Sequence, residues 1–505
     1  MTDWQRYLQP EKVEEALAAL DAAGGRARLV AGGTDLLLDI QQGRHPPVEV
    51  LVDVVGIHEM GHIRVEGDVA LIGAAVPHAT IVDHPVLRAR ATALTEACGL
   101  IGGPQVRVVA TLGGNVAHAL PAGDGTIALL ALDAQAELAS LGKREWLPMA
   151  SLFAGPGKTT FDRGRQVLVG FRFPLTTARE GSAFYRVMRP QGVAIAILNV
   201  ACWMRLSMGG EVEAIRISCG PAGPTPQRCR GAEAALIGSS QSTIDWEGRR
   251  SPAGRRSFPH QPSSSDDRVS GAFGRYHPKT CRHRSLSAGG PAGRGGSMKL
   301  WVNDVEHDVE PAPGEMLSTL LRQRLGLTGT KIGCDEAECG ICTVLLDDQP
   351  VLSCTLPAPK AANRRVRTIE GVATNAGLHP LQEAFVVLGA VQCGFCIPGQ
   401  IMAALPLLET NPTASEEEIR EALKDTLCRC AGYPTIVRAV QAAGAKMDHG
   451  APIEPPRLPE ADTTDVVGHV MPRPDAVAKV TGKALYADDF SYPDMLIGKT
   501  LRAGV

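Results

Sequence analysis

Eight of the thirteen cysteines in this 505-residue chain fall between 334 and 430, as two groups of four, and no other feature constrains the rear half so tightly. The first group is Cys334, Cys339, Cys342 and Cys354, and the second is Cys393, Cys396, Cys428 and Cys430. The other five, Cys98, Cys202, Cys219, Cys229 and Cys281, are scattered singly, and Cys98, Cys202 and Cys219 read as packed thiols. Two sets of four is the stoichiometry of two four-ligand sites. The opening MTDWQRYLQPEKVEEALAAL has no basic stretch followed by an apolar core, so no export signal is expected and the cytoplasm is the expected compartment. There, many cysteines point to metal or redox use rather than to disulfides.

The first group reads GCDEAECGIC, then eleven residues, then Cys354. C-x4-C-x2-C with a distant fourth cysteine is the plant-type [2Fe–2S] spacing. A tight loop brings three thiolates to the cluster, Gly333 and Gly340 let backbone amides approach the sulfides, and Cys354, on a neighbouring strand, closes the site. The second group is C-G-F-C and, after 31 residues, C-R-C. These ligands are expected at helix ends, where amide dipoles favour an anionic cluster. Structural zinc and metal-free buried thiols are the alternatives. Zinc sites usually pair two C-x2-C-like knuckles, which this spacing does not supply.

Length and composition suit about three soluble globular domains. The chain is 44% hydrophobic and 21% charged with a net charge of -3, which excludes a strongly basic nucleic-acid binder and a mainly disordered chain. No run of eighteen apolar residues is present, so no membrane span is expected. Residues 1–228 read as an α+β unit, with a helix over 11–23 and strands in 48–55, 69–76, 193–206 and 212–220. Residues 229–297, rich in Arg, Ser, Gly and Pro, read as a disordered linker or a frameshifted stretch. Residues 298–375 begin with a hairpin and a short helix ended by Gly326, and 376–447 carry helices at 381–389, 397–409 and 415–427, the last opened by a Ser415–Glu418 capping box. A Pro-rich linker, 448–465, precedes the tail, 466–505.

GCDEAECGICTVLLDDQPVLSCTLPA, QCGFCIPGQIMAA and LCRCAGYPTIVRAV together resemble the two-cluster small subunit of the xanthine dehydrogenase/aldehyde oxidase family of molybdenum hydroxylases, over about 298–447. The resemblance implies a multidomain α+β fold, with the first four cysteines in a β-grasp ferredoxin domain and the second four in a four-helix domain. It also implies that Gln392 hydrogen-bonds the molybdopterin, placing the second cluster nearer molybdenum.

In the front unit, LVAGGTDLLLD (29–39) and ATLGGNVAHALPAGDG (110–125) are glycine turns whose successive amides can form anion-binding nests. Neither is G-x-G-x-x-G, so no Rossmann fold is expected. Over 1–228 the pair resembles the family's FAD-binding medium subunit, with a PCMH-type fold. That implies FAD contacts for Ala31, Gly32, Gly33, Thr34 and Asp35, with the pyrophosphate in this loop. It also implies them for Thr111, Gly113, Gly114, Asn115 and Asp124, along the flavin and ribose. Val108 stands where the family commonly has Asn, and the expected C-terminal α/β segment is disrupted from 229.

The tail carries Arg473, Asp475, Lys479, Thr481, Gly482, Tyr486 and Asp489, matching the start of the molybdopterin-binding large subunit and expected to be cut short at 505. The implied function is an electron-transfer component relaying electrons from molybdopterin, held by a partner large subunit, through two [2Fe–2S] clusters to FAD and on to NAD or another acceptor. An oligomeric complex is implied, with no hydroxylation by this chain alone. The alternative is a non-catalytic fusion that binds no flavin and acts only as a ferredoxin-like or interaction module.

Overall fold

The computed structural model describes residues 4–46, 48–188, 195–240, 297–375, 377–455, 473–490, 492 and 494–496. The front unit begins with a three-stranded parallel sheet in the order Arg6–Leu8, Val50–Asp53, Ala27–Val30, against which helix Val13–Ala22 packs. All four residues of Val50–Asp53 are buried, as expected of a parallel strand covered on both faces. A five-stranded antiparallel sheet follows, in the order Ile63–Glu66, Val69–Gly73, Val167–Pro174, Gln135–Ser140, Lys143–Pro148. A four-stranded antiparallel sheet, Glu180–Val187, Leu198–Leu206, Val212–Gly220 and Gln227–Arg228, shares the same apolar core through Phe184, Ala201 and Trp203.

One sequence boundary is corrected. Arg230–Leu236 is a helix, although composition assigns 229 onward to a linker. Tertiary contacts override the composition: Cys229 N donates to Ile217 O, and Glu233 accepts from Ile217 N and Arg228. The remaining linker, 241–296, lies outside the described residues, as do 456–472.

The second unit opens with the hairpin Met298–Val302 and Val305–Val309, joined at Asn303 and Asp304, both at positive φ as a two-residue turn requires. Its five-stranded sheet runs Val305–Val309, Met298–Val302, Arg365–Arg367, Thr343–Leu346, Gln349–Leu352, with one parallel pairing. The short helix widens to a π-turn at Leu320–Arg324 before Gly326. Cys354 lies not on a strand but in the 3₁₀ turn Ser353–Thr355, directly after one.

The third unit has four helices, Pro380–Val387, Ile397–Thr410, Glu416–Ala422 and Tyr433–His449. The Ser415–Glu418 capping box is present, and its helix ends earlier than the apolar pattern suggests, with Asp425 at positive φ. Residue periodicity alone misses the fourth helix; Pro434 in its first turn is the start signal. Among the described residues no helix is long and apolar enough to cross a membrane.

Candidate functional site

The loop Ala31–Asp35 connects strand Ala27–Val30 to helix Leu36–Gln41, and Gly33 adopts φ +77°. Among the described residues, no acceptor meets the backbone N–H groups of Gly32, Gly33, Thr34 and Asp35. Four successive free donors suit an anionic pyrophosphate. The second turn differs from the sequence expectation of a second nest, because its amides are already satisfied. Leu112 N and Gly113 N donate to Val76 O and Ala74 O, and Gly114 N donates to Thr111 Oγ1 at 3.1 Å. Asn115 Oδ1 accepts from Thr126 N and Oγ1.

The two turns touch. A Cβ on Gly32 would lie 2.4 Å from Val109 O, and one on Gly113 would lie 2.5 Å from Ala74. Asp124 is engaged internally, accepting from Arg186 Nη1 and Asn199 Nδ2 at 2.7 Å each. Burial raises its pKa against the opposing pull of Asn199 and Arg186. The residues fit FAD, with the first loop as phosphate cradle and the second as a close-packed wall.

In the first cysteine group, Glu336 N and Cys339 N donate to Cys334 Sγ at 3.3 and 3.4 Å. Asp335, Ala337 and Gly340 at positive φ turn the loop tightly enough for this. The Cys339 thiol and those amides draw the Cys334 thiol down to about 6. Cys354 likewise lowers Cys342, while both partners are pushed up. Burial, then the neighbouring Cys334 and Glu336, raises Asp335 to about 6. In the second group, Cys393, Cys396, Cys428 and Cys430 line one open cavity with Gln392. Gly432 N points at Cys428 Sγ at 3.4 Å. Only Cys396 caps a helix, Ile397–Thr410; the other three lie in the loops preceding Ile397–Thr410 and Tyr433–His449. Four thiols with amides aimed at sulfur fit a [2Fe–2S] cluster at each place.

Three contacts join these sites, and single-sequence reading finds none of them. Leu427, next to Cys428, donates its N–H to Cys339 O at 2.9 Å. Helix Pro104–Arg107 of the front unit packs Val106 on the apolar cluster of Cys342, Leu352 and Cys354, and its Arg107 pairs with Glu421 at 2.6 Å. Lys360 of the ferredoxin unit donates to Ala31 O at 2.7 Å and to both oxygens of Asp53 at 3.0 Å.

Comparison with known proteins agrees with this division. The FAD binding domain in molybdopterin dehydrogenase matches residues 2–176, and the CO dehydrogenase flavoprotein C-terminal domain matches 183–246. The 2Fe-2S iron-sulfur cluster binding domain matches 301–366, and the [2Fe-2S] binding domain matches 368–441. The 6-hydroxypseudooxynicotine dehydrogenase complex subunit beta of Paenarthrobacter nicotinovorans is 44% identical over 153 residues, 30% of this chain and 96% of that protein. The aldehyde oxidoreductase of Megalodesulfovibrio gigas is 41% identical over 193 residues, 38% of this chain but only 21% of that protein's length. A carbon monoxide dehydrogenase structure from Hydrogenophaga pseudoflava is 33% identical, covering 48% of this chain and 82% of that one, with a TM-score of 0.45.

These domains define a flavin- and iron–sulfur-containing oxidoreductase component. The chain belongs to the molybdenum hydroxylase family of xanthine, aldehyde and CO dehydrogenases, and it holds that family's FAD and two [2Fe–2S] parts. The alternative of a non-catalytic module with a disrupted front unit is not supported: the flavoprotein C-terminal match runs to 246 and its four-stranded sheet is formed.

Proposed function

We propose that this chain relays electrons from a molybdopterin site on a large subunit through the second and then the first cluster to FAD, and from there to NAD or another external acceptor. The observation that carries this reading is the continuity of the three sites. Leu427 N on Cys339 O links the two cysteine groups, and Val106, packed on the apolar cluster of Cys342, Leu352 and Cys354, continues within seven residues to Gly113 of the flavin wall. When bound, the clusters supply one-electron carriage and FAD supplies the pairing of electrons.

The chain's own residues do the positioning. Cys334, Cys339, Cys342 and Cys354 would hold one cluster, and Cys393, Cys396, Cys428 and Cys430 the other. The free amides of 32–35 would bind the FAD pyrophosphate, with Thr111, Gly113, Gly114 and Asn115 forming the opposite wall and Asp124 bracing it from within. Gln392 lines the second cavity, on the side proposed to meet the pterin. We also read 466–505 as the beginning of a large-subunit-like segment; its described part, 473–490, packs Ala476 and Val480 into the helical unit's core. An oligomeric complex in the cytoplasm follows from the same reading.

Purified full chain is expected to hold about four irons, two per cluster, and one flavin. Dithionite-reduced protein should show two paramagnetic cluster signals, and photoreduced clusters should pass electrons to the flavin. A zinc-loaded, iron-free preparation would overturn the proposal. Without a large subunit, no aldehyde or N-heterocycle should be hydroxylated.

A further inference from the structure

Segment 473–490 reaches over the rim of the second cysteine cavity with two polar groups. Lys479 Nζ donates to Gln392 O at 3.2 Å, and Tyr486 Oη donates to Cys393 O at 2.9 Å. The two peptide carbonyls flanking Cys393 thus each receive a hydrogen bond from this segment. Gly394, at φ +90°, makes the approach possible: a Cβ there would lie 2.3 Å from Lys479 Cδ and 2.6 Å from Tyr486 Oη. Phe395 meets the Tyr486 ring edge-on at 5.3 Å.

The segment is fixed, not merely adjacent. Gln382 Nε2 donates to Val480 O within the core at 2.8 Å. Asp489 is held by Lys331 at 2.6 Å and Arg322 at 2.7 Å, with both Lys331 and Asp489 side chains nearly inaccessible. The Lys479 ammonium is itself buried, 8% exposed, while its partner Asp475, 2.8 Å away, is half exposed. Water therefore screens the carboxylate more than the ammonium, and the positive end is the one aimed at the cluster rim.

We infer that Lys479 is a positioning and potential-setting residue of the second cluster. Resting on the proposed function, it raises that cluster's reduction potential by placing a buried positive charge, with the Tyr486 hydroxyl, on the backbone of Cys393. Reduction adds one negative charge to a four-thiolate cluster, so a nearby fixed cation favours the reduced form, and an anion beside it disfavours it.

The test is a redox titration of the full chain carrying its clusters, followed by low-temperature paramagnetic resonance. The second cluster's signal is assigned by its perturbation in Cys430→Ser. Lys479→Met keeps the apolar stem and removes the charge. It should shift the reduced-to-oxidised ratio of that cluster toward oxidised by on the order of tenfold at fixed ambient potential. Asp475→Asn should shift it the other way, Lys479→Arg should restore it, and the first cluster should stay unmoved throughout. If Lys479→Met does not fold, Asp475→Asn alone decides the matter. A second-cluster signal that neither variant moves, or that both move in one direction, overturns this inference and leaves the relay standing. Absence of any cluster signal in the parent chain overturns the relay and this inference together.

Discussion

Lys360 and Asp53 form a buried ion pair between the ferredoxin unit and the front unit, 9% and 5% exposed, and the same ammonium holds the first carbonyl of the flavin loop, Ala31 O. Asp53 also accepts from Tyr7 Oη at 2.7 Å and Val55 N at 3.1 Å, so its carboxylate is fully engaged. Burial, then the Asp53 charge, raises the Tyr7 phenol well above its usual range. Removing one partner of such a pair typically costs about 3–5 kcal/mol, whereas removing both costs much less. Lys360→Met and Asp53→Asn are each expected to lower the flavin-to-protein ratio and the melting temperature. The double variant should recover part of the melting temperature while iron content stays unchanged, as differential scanning calorimetry and cofactor analysis would show.

Gly32 has backbone where a side chain would go. Gly32→Ala places a methyl 2.4 Å from Val109 O and must separate the two flavin turns, a cost of about 1–3 kcal/mol in a packed site. Gly114→Ala, whose Cβ meets only Thr111 Oγ1 at 3.1 Å, should be milder. Equilibrium dialysis with FAD should rank the affinities as parent, then Gly114→Ala, then Gly32→Ala; equal affinities would remove the close-contact explanation.

Arg107 and Glu421 form one ion pair but should respond unequally. The Arg107 side chain is 11% exposed and also donates to Gly99 O and Gly102 O at 2.9 Å, while that of Glu421 is 49% exposed. Glu421→Gln is expected to cost under about 1 kcal/mol. Arg107→Met strands two half-buried carbonyls and should cost more, about 1–3 kcal/mol. Urea unfolding of the two variants checks the inequality.

Each cysteine group should empty independently. Cys354→Ser and Cys430→Ser should each reduce bound iron from about four to about two per chain, with the untouched group keeping its signal. Loss of all iron in either variant would mean that the two sites assemble as one.

The cysteine spacing made the ligand sets readable, because a metal cluster's geometry is written in local intervals. The hairpin at Asn303–Asp304 and the capping box at Ser415 were readable for the same reason. Helix Arg230–Leu236 was not, since its stability comes from Glu233 reaching Ile217 N and Arg228 rather than from its own pattern. The glycine turns were legible as turns. That only the first leaves free amides depends on Ala74 and Val76 accepting from the second, a pairing about forty residues away. Lys360 carries no local signal at all, because its partners Asp53 and Ala31 are some three hundred residues distant.

His78 supplies an acid-sensitivity. It is fully buried, its Nδ1 lies 3.4 Å from Cys98 Sγ, and burial, with a smaller push from Arg107, lowers its pKa to about 3. The folded imidazole stays neutral while the unfolded one protonates near 6.5, so between these values the unfolded state binds more protons and stability rises with pH. The contribution is complete above 6.5 and falls by about 1.4 kcal/mol per pH unit toward 3. In His78→Gln the stability difference between pH 7 and pH 4.5 should shrink correspondingly; an unchanged difference would assign the acid response elsewhere.

Val106 and Arg107 are consecutive, yet one packs on the apolar cluster of Cys342, Leu352 and Cys354 and the other pairs with the helical unit. A helix advances about 100° per residue, so deleting one residue ahead of Val106 would turn the guanidinium into the direction the isopropyl group now takes, and inserting one would turn the isopropyl group toward Glu421. The register of one helical turn therefore sets which neighbour each face greets, and either change of length would break both contacts at once.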